Sequence, residues 1–392
     1  MSPRTTTSLL AALTASAFLL SLTGCVANSP GESPGTVVTV SSTSDTCAVS
    51  QASVPSGSVV FSITNAADVG TEFYVLADDG RRIVGEVENV APGAPRDLTL
   101  TLSSGDYFTA CKPGMVGDGV GTAPFTVTDS GAAVPTGDGA ERIAAAESNY
   151  AAYVRDQVAQ LVPGTQSFLD AYLAGDDETA RSLYASSRAN YERIEPVAES
   201  FGDLDPAIDF READVPEGEE WTGWHRLEKD LWPPADAGYV ALTAAERADY
   251  AAKLTTDTQA LHDAVHADDY AVSIDAISNG AIGLMDEVAS AKITGEEEIW
   301  SHTDLWDFQA NLEGARVGYE GVRDIVLDKD AGLAADLDEE FDALQAQLAA
   351  HGSLEAGFPS YTDLPTGDIK SLADGVNALS EPLSRLTAAL VS

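Results

Sequence analysis

The chain of 392 residues reads as a multidomain protein, a small all-β sandwich followed by an all-α helical bundle. Two observations carry that reading. Between residues 36 and 129, apolar and polar side chains alternate in short runs bounded by turn-forming pairs, the period-2 pattern of half-buried strands. After residue 140 the apolar spacing switches to 3.6 and stays there, with no strand-like alternation to interrupt it. A hydrophobic fraction of 44% gives both regions material for a core despite a formal charge of −42.

Residues 1–24 stand apart from that fold. Arg4 precedes an apolar run over residues 9–22, too short to cross a bilayer as a stable helix. The run ends Leu22-Thr23-Gly24-Cys25, the pattern of a bacterial lipobox. A signal peptide over 1–24 is therefore expected, with lipidation at Cys25 and a Ser/Pro/Gly-rich tether over 25–35. Cleavage would remove Arg4 from the 21 basic residues and none of the 63 acidic ones. Such a field repels nucleic acid and anionic lipid and attracts cations, although solubility alone also accounts for it. Lipidation of Cys25 leaves Cys47 and Cys111 as a pair outside the cytoplasm, where disulfides persist.

Strands are expected at 36–40, 58–64, 72–76, 83–87, 96–102, 106–110 and 123–127, separated by Asp79-Gly80, Pro92-Gly93, Ser104-Gly105 and Pro113-Gly114. That spacing suggests an antiparallel sandwich over 36–129, and the composition of residues 130–139 marks a linker. Helices are expected within 140–392, at 140–162, 165–175, 178–203, 219–232, 244–267, 269–292, 303–327, 331–351 and 367–391. Thr243 to Glu246 forms a capping box, and Ser301 to Asp304 resembles one.

The chemistry centres on Trp221-Thr-Gly-Trp-His-Arg-Leu-Glu-Lys-Asp-Leu-Trp232. On a helix, Trp224, Leu227 and Leu231 make an apolar stripe, with Arg226, Lys229 and Asp230 on the solvated side. His225 and Glu228, three apart, project together beside the tryptophans, where an unpaired polar group is expensive to bury. They need each other or a metal. Further acids on inward faces are Glu195, bordering the apolar arc of Tyr191, Ile194, Ala198 and Phe201, and Asp304 and Asp307 beside Phe308. Glu192 and Glu199 point further out. His302 is held in reserve. Such a nitrogen- and oxygen-rich set without thiolates suits iron, manganese or zinc. There is no His-Glu-x-x-His zinc-protease motif and no paired Glu-x-x-His of a di-iron bundle. His262 and His266 read as a surface pair.

In the β region, Cys111-Lys112-Pro113-Gly114-Met115 follows a strand. A type 1 copper centre needs two histidines with its cysteine, and this region has none. Cys47 and Cys111 form either a disulfide or, with Glu72 or Met115, a soft metal site.

The block already quoted, together with Tyr191-Glu-Arg-Ile-Glu-Pro-Val-Ala-Glu-Ser-Phe-Gly-Asp-Leu-Asp-Pro206 and Ser301-His-Thr-Asp-Leu-Trp-Asp-Phe-Gln-Ala-Asn311, resembles the EfeO family of extracytoplasmic iron-binding components. The resemblance spans roughly residues 36–392. It implies a cupredoxin-like domain joined to an imelysin-like domain whose Gly-x-His-x-x-Glu motif falls on Gly223, His225 and Glu228. It also implies iron capture outside the membrane, delivery to an EfeU-type permease, and an EfeB-type haem peroxidase as companion. The family's two-cysteine, one-glutamate pattern falls on Cys47, Cys111 and Glu72, and the nearby Met115 leaves copper or a second iron open there. The leading expectation is an iron-binding lipoprotein with ligands His225, Glu228, Glu195 and Asp307, and no enzyme activity. Its rivals are a ferroxidase or hydrolase using the same centre, and an interaction protein in which His225 and Glu228 merely pair.

Overall fold

Alternation between residues 36 and 128 builds, among the described residues, nine strands in two facing sheets. The computed structural model describes residues 35–115, 119–131, 138–235 and 238–391; the expected signal peptide and nearly all of the tether, Cys25 included, lie outside them, as does most of the linker. The strands are β1 (Thr36–Ser42), β2 (Cys47–Val49), β3 (Ser53–Pro55), β4 (Gly57–Asn65), β5 (Thr71–Leu76), β6 (Ile83–Val90), β7 (Pro95–Leu102), β8 (Gly105–Pro113) and β9 (Val120–Thr128). One sheet runs β2-β1-β4-β7 and the other β3-β9-β8-β5-β6. The sheets are mixed rather than antiparallel, because β1 pairs parallel with β4, and β3 with β9. The two short strands between β1 and β4, which carry too few alternating residues to show in sequence, are split between the sheets: β2 pairs antiparallel with β1, and β3 parallel with β9. Phe61 of one sheet packs on Phe73 and Phe125 of the other at ring distances of 5.3 and 5.4 Å.

The 3.6-residue pattern becomes a helical bundle: α1 (Asp138–Ala174), α2 (Asp177–Glu192), a 3-10 segment (Glu195–Phe201), α3 (Leu204–Asp209), α4 (Gly223–Leu231), α5 (Ala244–Val265), α6 (Ile274–Ser290), α7 (Asp304–Lys329), α8 (Ala331–Ala349), α9 (Thr366–Leu383) and α10 (Leu386–Val391). The expected break near residue 163 does not occur. Burying Val158, Leu161, Phe168, Leu169 and Tyr172 along one side outweighs the hydrogen bond lost at Pro163, and α1 runs straight through. The expected helix 178–203 does stop early, giving way at residue 193 to the 3-10 turn that carries Pro196. Thr243 forms its capping box with Glu246. Ser301 does not: its hydroxyl binds Glu298 and Thr303, leaving α7 without a side-chain cap. The rings of His262 and His266 stack at 4.1 Å on the surface.

The sandwich rests on α6. Asp275 accepts the Thr101 backbone N–H at 2.9 Å, Asn279 donates to the Thr99 carbonyl at 2.9 Å, and Arg96 pairs with Asp286 at 2.7 Å.

Candidate metal centre

Five pieces of chain meet around one imidazole: α2, the 3-10 turn with α3, α4, the stretch from 292 to 303, and the first turns of α7. Two glycines allow the approach. Gly223 has φ +84°, and a Cβ there would lie 2.2 Å from the Ile208 carbonyl oxygen, so α4 sits against α3 only with glycine at that position. A Cβ on Gly280 would lie 1.6 Å from the Pro196 oxygen, so α6 carries the 3-10 turn equally closely.

His225 and Glu228 are both fully buried, and His225 Nδ1 lies 3.2 Å from Glu228 Oε2. Glu228 Oε1 accepts backbone N–H groups from Trp300 (3.1 Å) and Ser301 (2.7 Å). On the other edge of the ring, Nε2 faces Glu297 Oε1 at 3.7 Å and Asp209 Oδ1 at 3.9 Å. Three donors on each edge, His225 with Glu228 and Glu298, and His225 with Asp209 and Glu297, lie within 4.8 Å of one another, close enough to share an ion.

The organising cation is Arg188, whose side chain is fully buried. Its Nε and Nη2 grip Asp209 at 3.0 and 2.9 Å, and Nη1 donates to Glu298 at 2.8 Å. Nη2 also touches His225 Nε2 at 3.0 Å and Glu297 at 3.3 Å. Glu192 Oε1 at 2.8 Å and Asp307 Oδ2 at 2.9 Å are attracted by its charge yet lie off its N–H directions, and neither accepts a hydrogen bond. Lys292 adds a second buried charge, 2.6 Å from Glu195 and 3.5 Å from both Glu192 and Glu297.

Acids outnumber these cations, and protons make up part of the difference. Burial drives Asp307 well above the usual carboxylate range despite Arg188. Burial and the Glu228 charge do the same to Glu298. Asp304 is pushed up to about 7, mainly by burial. Glu297 falls well below the ordinary value, because Lys292, His225 and Arg211 overcome its desolvation. For His225, burial and Arg188 oppose the proton, but bonds to Glu228 and Glu297 and the charge of Glu298 prevail, raising its pKa to about 10.

Of the residues expected from sequence, His225, Glu228, Asp304 and Asp307 lie in this cluster. Asp304 uses Oδ1 to accept the Glu298 N–H at 3.3 Å and leaves Oδ2 without a partner. Glu195 lies at the edge, held by Lys292 and by Asn311 Nδ2 at 2.6 Å. His302 is outside: it adopts φ +57°, and its backbone, not its ring, ties Glu298 to Tyr361. Two side chains expected at the surface are buried. Glu192 is at the heart of the cluster, and Asp230 is held by Arg247 (2.7 Å) and Tyr172 (2.9 Å). Sequence reasoning missed Arg188, Asp209, Lys292, Glu297 and Glu298. Glu192 four residues after Arg188 was the available signal for one pair; the others sit on short irregular segments without periodicity.

Of the two expectations for the β domain, the disulfide is the one formed, and the soft site with Glu72 or Met115 is not assembled. Cys47 and Cys111 are joined as a disulfide linking the two sheets, and so present no thiolate. Glu72 pairs across the sheet with Lys112, and Phe73 with Cys111, so strand alternation sends Glu72 and Cys111 to opposite faces. Met115 stands on the exposed turn beyond β8, near Gly70. Glu72 instead lies by an all-acid trio, Glu86, Glu88 and Glu199, where β6 meets the 3-10 turn.

The imelysin (peptidase M75) family model matches residues 146–386. The iron uptake system component EfeO of Yersinia pestis is 37% identical over 340 residues, covering 86% of each chain. The component of the same name from Escherichia coli K12 is 35% identical over 362 residues, 90% of this chain and 91% of its own. These relatives are named as uptake components rather than enzymes, although the family model carries a peptidase label. The chain belongs to the imelysin family and, within it, to the EfeO group.

Proposed function

We propose that the protein is an extracytoplasmic iron-binding lipoprotein that captures iron at the His225 centre and hands it to an EfeU-type membrane permease, with an EfeB-type haem peroxidase as companion. The observation that carries this reading is the surplus of buried acid around one imidazole. Glu192, Glu195, Asp209, Glu228, Glu297, Glu298, Asp304 and Asp307 crowd Arg188, Lys292 and Arg211, and Asp307 leaves both its oxygens without a hydrogen bond. A multiply charged cation relieves that excess, and one nitrogen among carboxylate oxygens suits iron.

The EfeO relatives are named for iron uptake, which supports the cargo. Anchoring through Cys25 rests on the lipobox, and the Cys47–Cys111 disulfide fits an oxidising compartment. Two sheets with parallel crossings support a cupredoxin-like reading of residues 36–129, with the bundle over 140–392 as the imelysin-like part. The β domain then serves as scaffold in its disulfide form, with copper or a second iron there only after reduction. The enzymatic alternative needs an open coordination position and turnover. The test is iron-limited growth of a bacterium lacking its own EfeO-type component. The wild-type chain restores growth, and the His225→Ala chain, secreted at equal level, does not. Equal restoration by both would remove His225 from the function.

A further inference from the structure

The geometry points to Arg188 as a place-holder cation whose Nη2 stands where the metal binds, with Glu228 a positioning residue for His225 rather than a ligand. This rests on the metal-site reading above and assigns the ligands within it.

Nη2 is surrounded by four donor atoms: Glu192 Oε1 at 2.8 Å, Asp209 Oδ2 at 2.9 Å, His225 Nε2 at 3.0 Å and Glu297 Oε1 at 3.3 Å. A guanidinium nitrogen carries two hydrogens in a plane and cannot serve four donors converging on it. Glu192 Oε1, buried and without a hydrogen bond, is the donor left over. A metal ion accepts donors from all sides. Bonds of about 2.1 Å in tetrahedral array place ligand atoms about 3.4 Å apart. Nε2 already lies 3.7 Å from Glu297 Oε1, near that spacing, and the four atoms, 2.8 to 3.3 Å from Nη2, must each draw in by about 1 Å to reach an ion at its place.

Glu228 is committed elsewhere. One oxygen faces His225 Nδ1 and the other takes two backbone N–H groups. That is the carboxylate–histidine arrangement which holds Nδ1–H and leaves Nε2 for the metal. To become a ligand through Oε2, Glu228 would have to give up its contact with His225 Nδ1, the contact that fixes the ring.

The displaced guanidinium has a destination. Nη1 already touches Glu298 and Asp307, and Asp307 Oδ1 has no hydrogen bond. Turning about that end carries Nη2 out of the cage while the charge stays paired. Asp209 is also the cage member with some exposure, 10% of its side chain, so an incoming ion meets the Arg188–Asp209 pair first.

The test uses the full chain with Zn(II) as a diamagnetic probe. Long-range 1H–15N NMR of histidine-labelled protein identifies the ligating nitrogen: metallated Nε2 with Nδ1 protonated is expected, and metallated Nδ1 overturns the assignment. By titration, Glu297→Gln and Asp209→Asn lose more than about 100-fold in affinity, Glu228→Gln loses about 10- to 100-fold, and Arg188→Met gains roughly tenfold. Should Arg188→Met fail to fold, the NMR result on wild type still decides. Tight binding at Nδ1 sinks this inference and leaves the metal-site reading standing. No binding by folded wild type sinks both.

Discussion

Among the described residues, a buried acidic cluster around His225 and a half-buried one at the edge of β6 manage repulsion differently. Around His225, positive charge reaches into the acids: Arg188 and Lys292 hold Glu192 below the ordinary carboxylate range, Lys292 and His225 do so for Glu297, and His225 does so for Glu228. At the edge of β6, Lys112 is the cation that acts on Glu86, Glu88 and Glu199, but it contacts Glu72, at 3.7 Å, rather than any of the three. Burial therefore lifts Glu86 and Glu88 well above the usual range and Glu199 to about 8. The first cluster is mixed: Glu192, Glu228 and Glu297 stay ionised beside positive charge, Asp307 and Glu298 hold protons, and an imidazole nitrogen lies among them. The second is held by protons. Acid count alone does not distinguish them; the presence of a competing cation does.

The largest expected contrast is in stability. Arg188→Met strips the central acids of their counter-charge and costs the metal-free fold about 3–5 kcal/mol in chemical denaturation. Glu199→Gln removes a charge that burial penalises, so at pH 8.5 it raises Tm by about 2 °C. If the two substitutions shift stability in the same direction, the contrast between the clusters fails.

Next in size is a pH effect. Glu199 near 8, and Asp205 and Asp304 near 7, have folded pKa values above the ordinary carboxylate values. Groups raised on folding stabilise at low pH and lose that contribution as pH rises through the folded value. Tm of metal-free protein therefore falls between pH 6 and pH 8.5, and a flat profile by calorimetry would contradict these assignments. Metal binding runs the other way. His225 must release its proton to bind, so affinity rises with pH up to about 10, and calorimetry in buffers of different ionisation enthalpy records a proton released per ion.

Smallest is the interface substitution itself. Glu86→Gln or Glu88→Gln changes iron affinity less than about threefold. A large loss would mean that the interface trio, not the His225 centre, carries the metal.

The layout of sheet and bundle was legible because long alternating and 3.6-spaced runs report directly on burial. His225 and Glu228 were legible because a three-residue spacing on one helix fixes their mutual position. Arg188, Glu297 and Glu298 were not, since nothing local says that an arginine of α2 and acids before α7 converge on α4. A helical wheel that assumes one solvated face turns Glu192 and Asp230 outward, yet Glu192 packs under the acids before α7 and Asp230 is covered by Arg247 and Tyr172. Glu72 and Cys111 were grouped although their strand register sends them to opposite faces, which only the pairing of β5 with β8 reveals.

The most direct test is anaerobic calorimetry of Fe(II) with the wild-type chain beside the double variant His225→Ala/Glu297→Gln, its folding verified by circular dichroism. One ion bound by wild type, with binding lost in the variant, is the predicted result. Equal affinity in both would return His225 and its acids to a structural ion network and place the function elsewhere in the molecule.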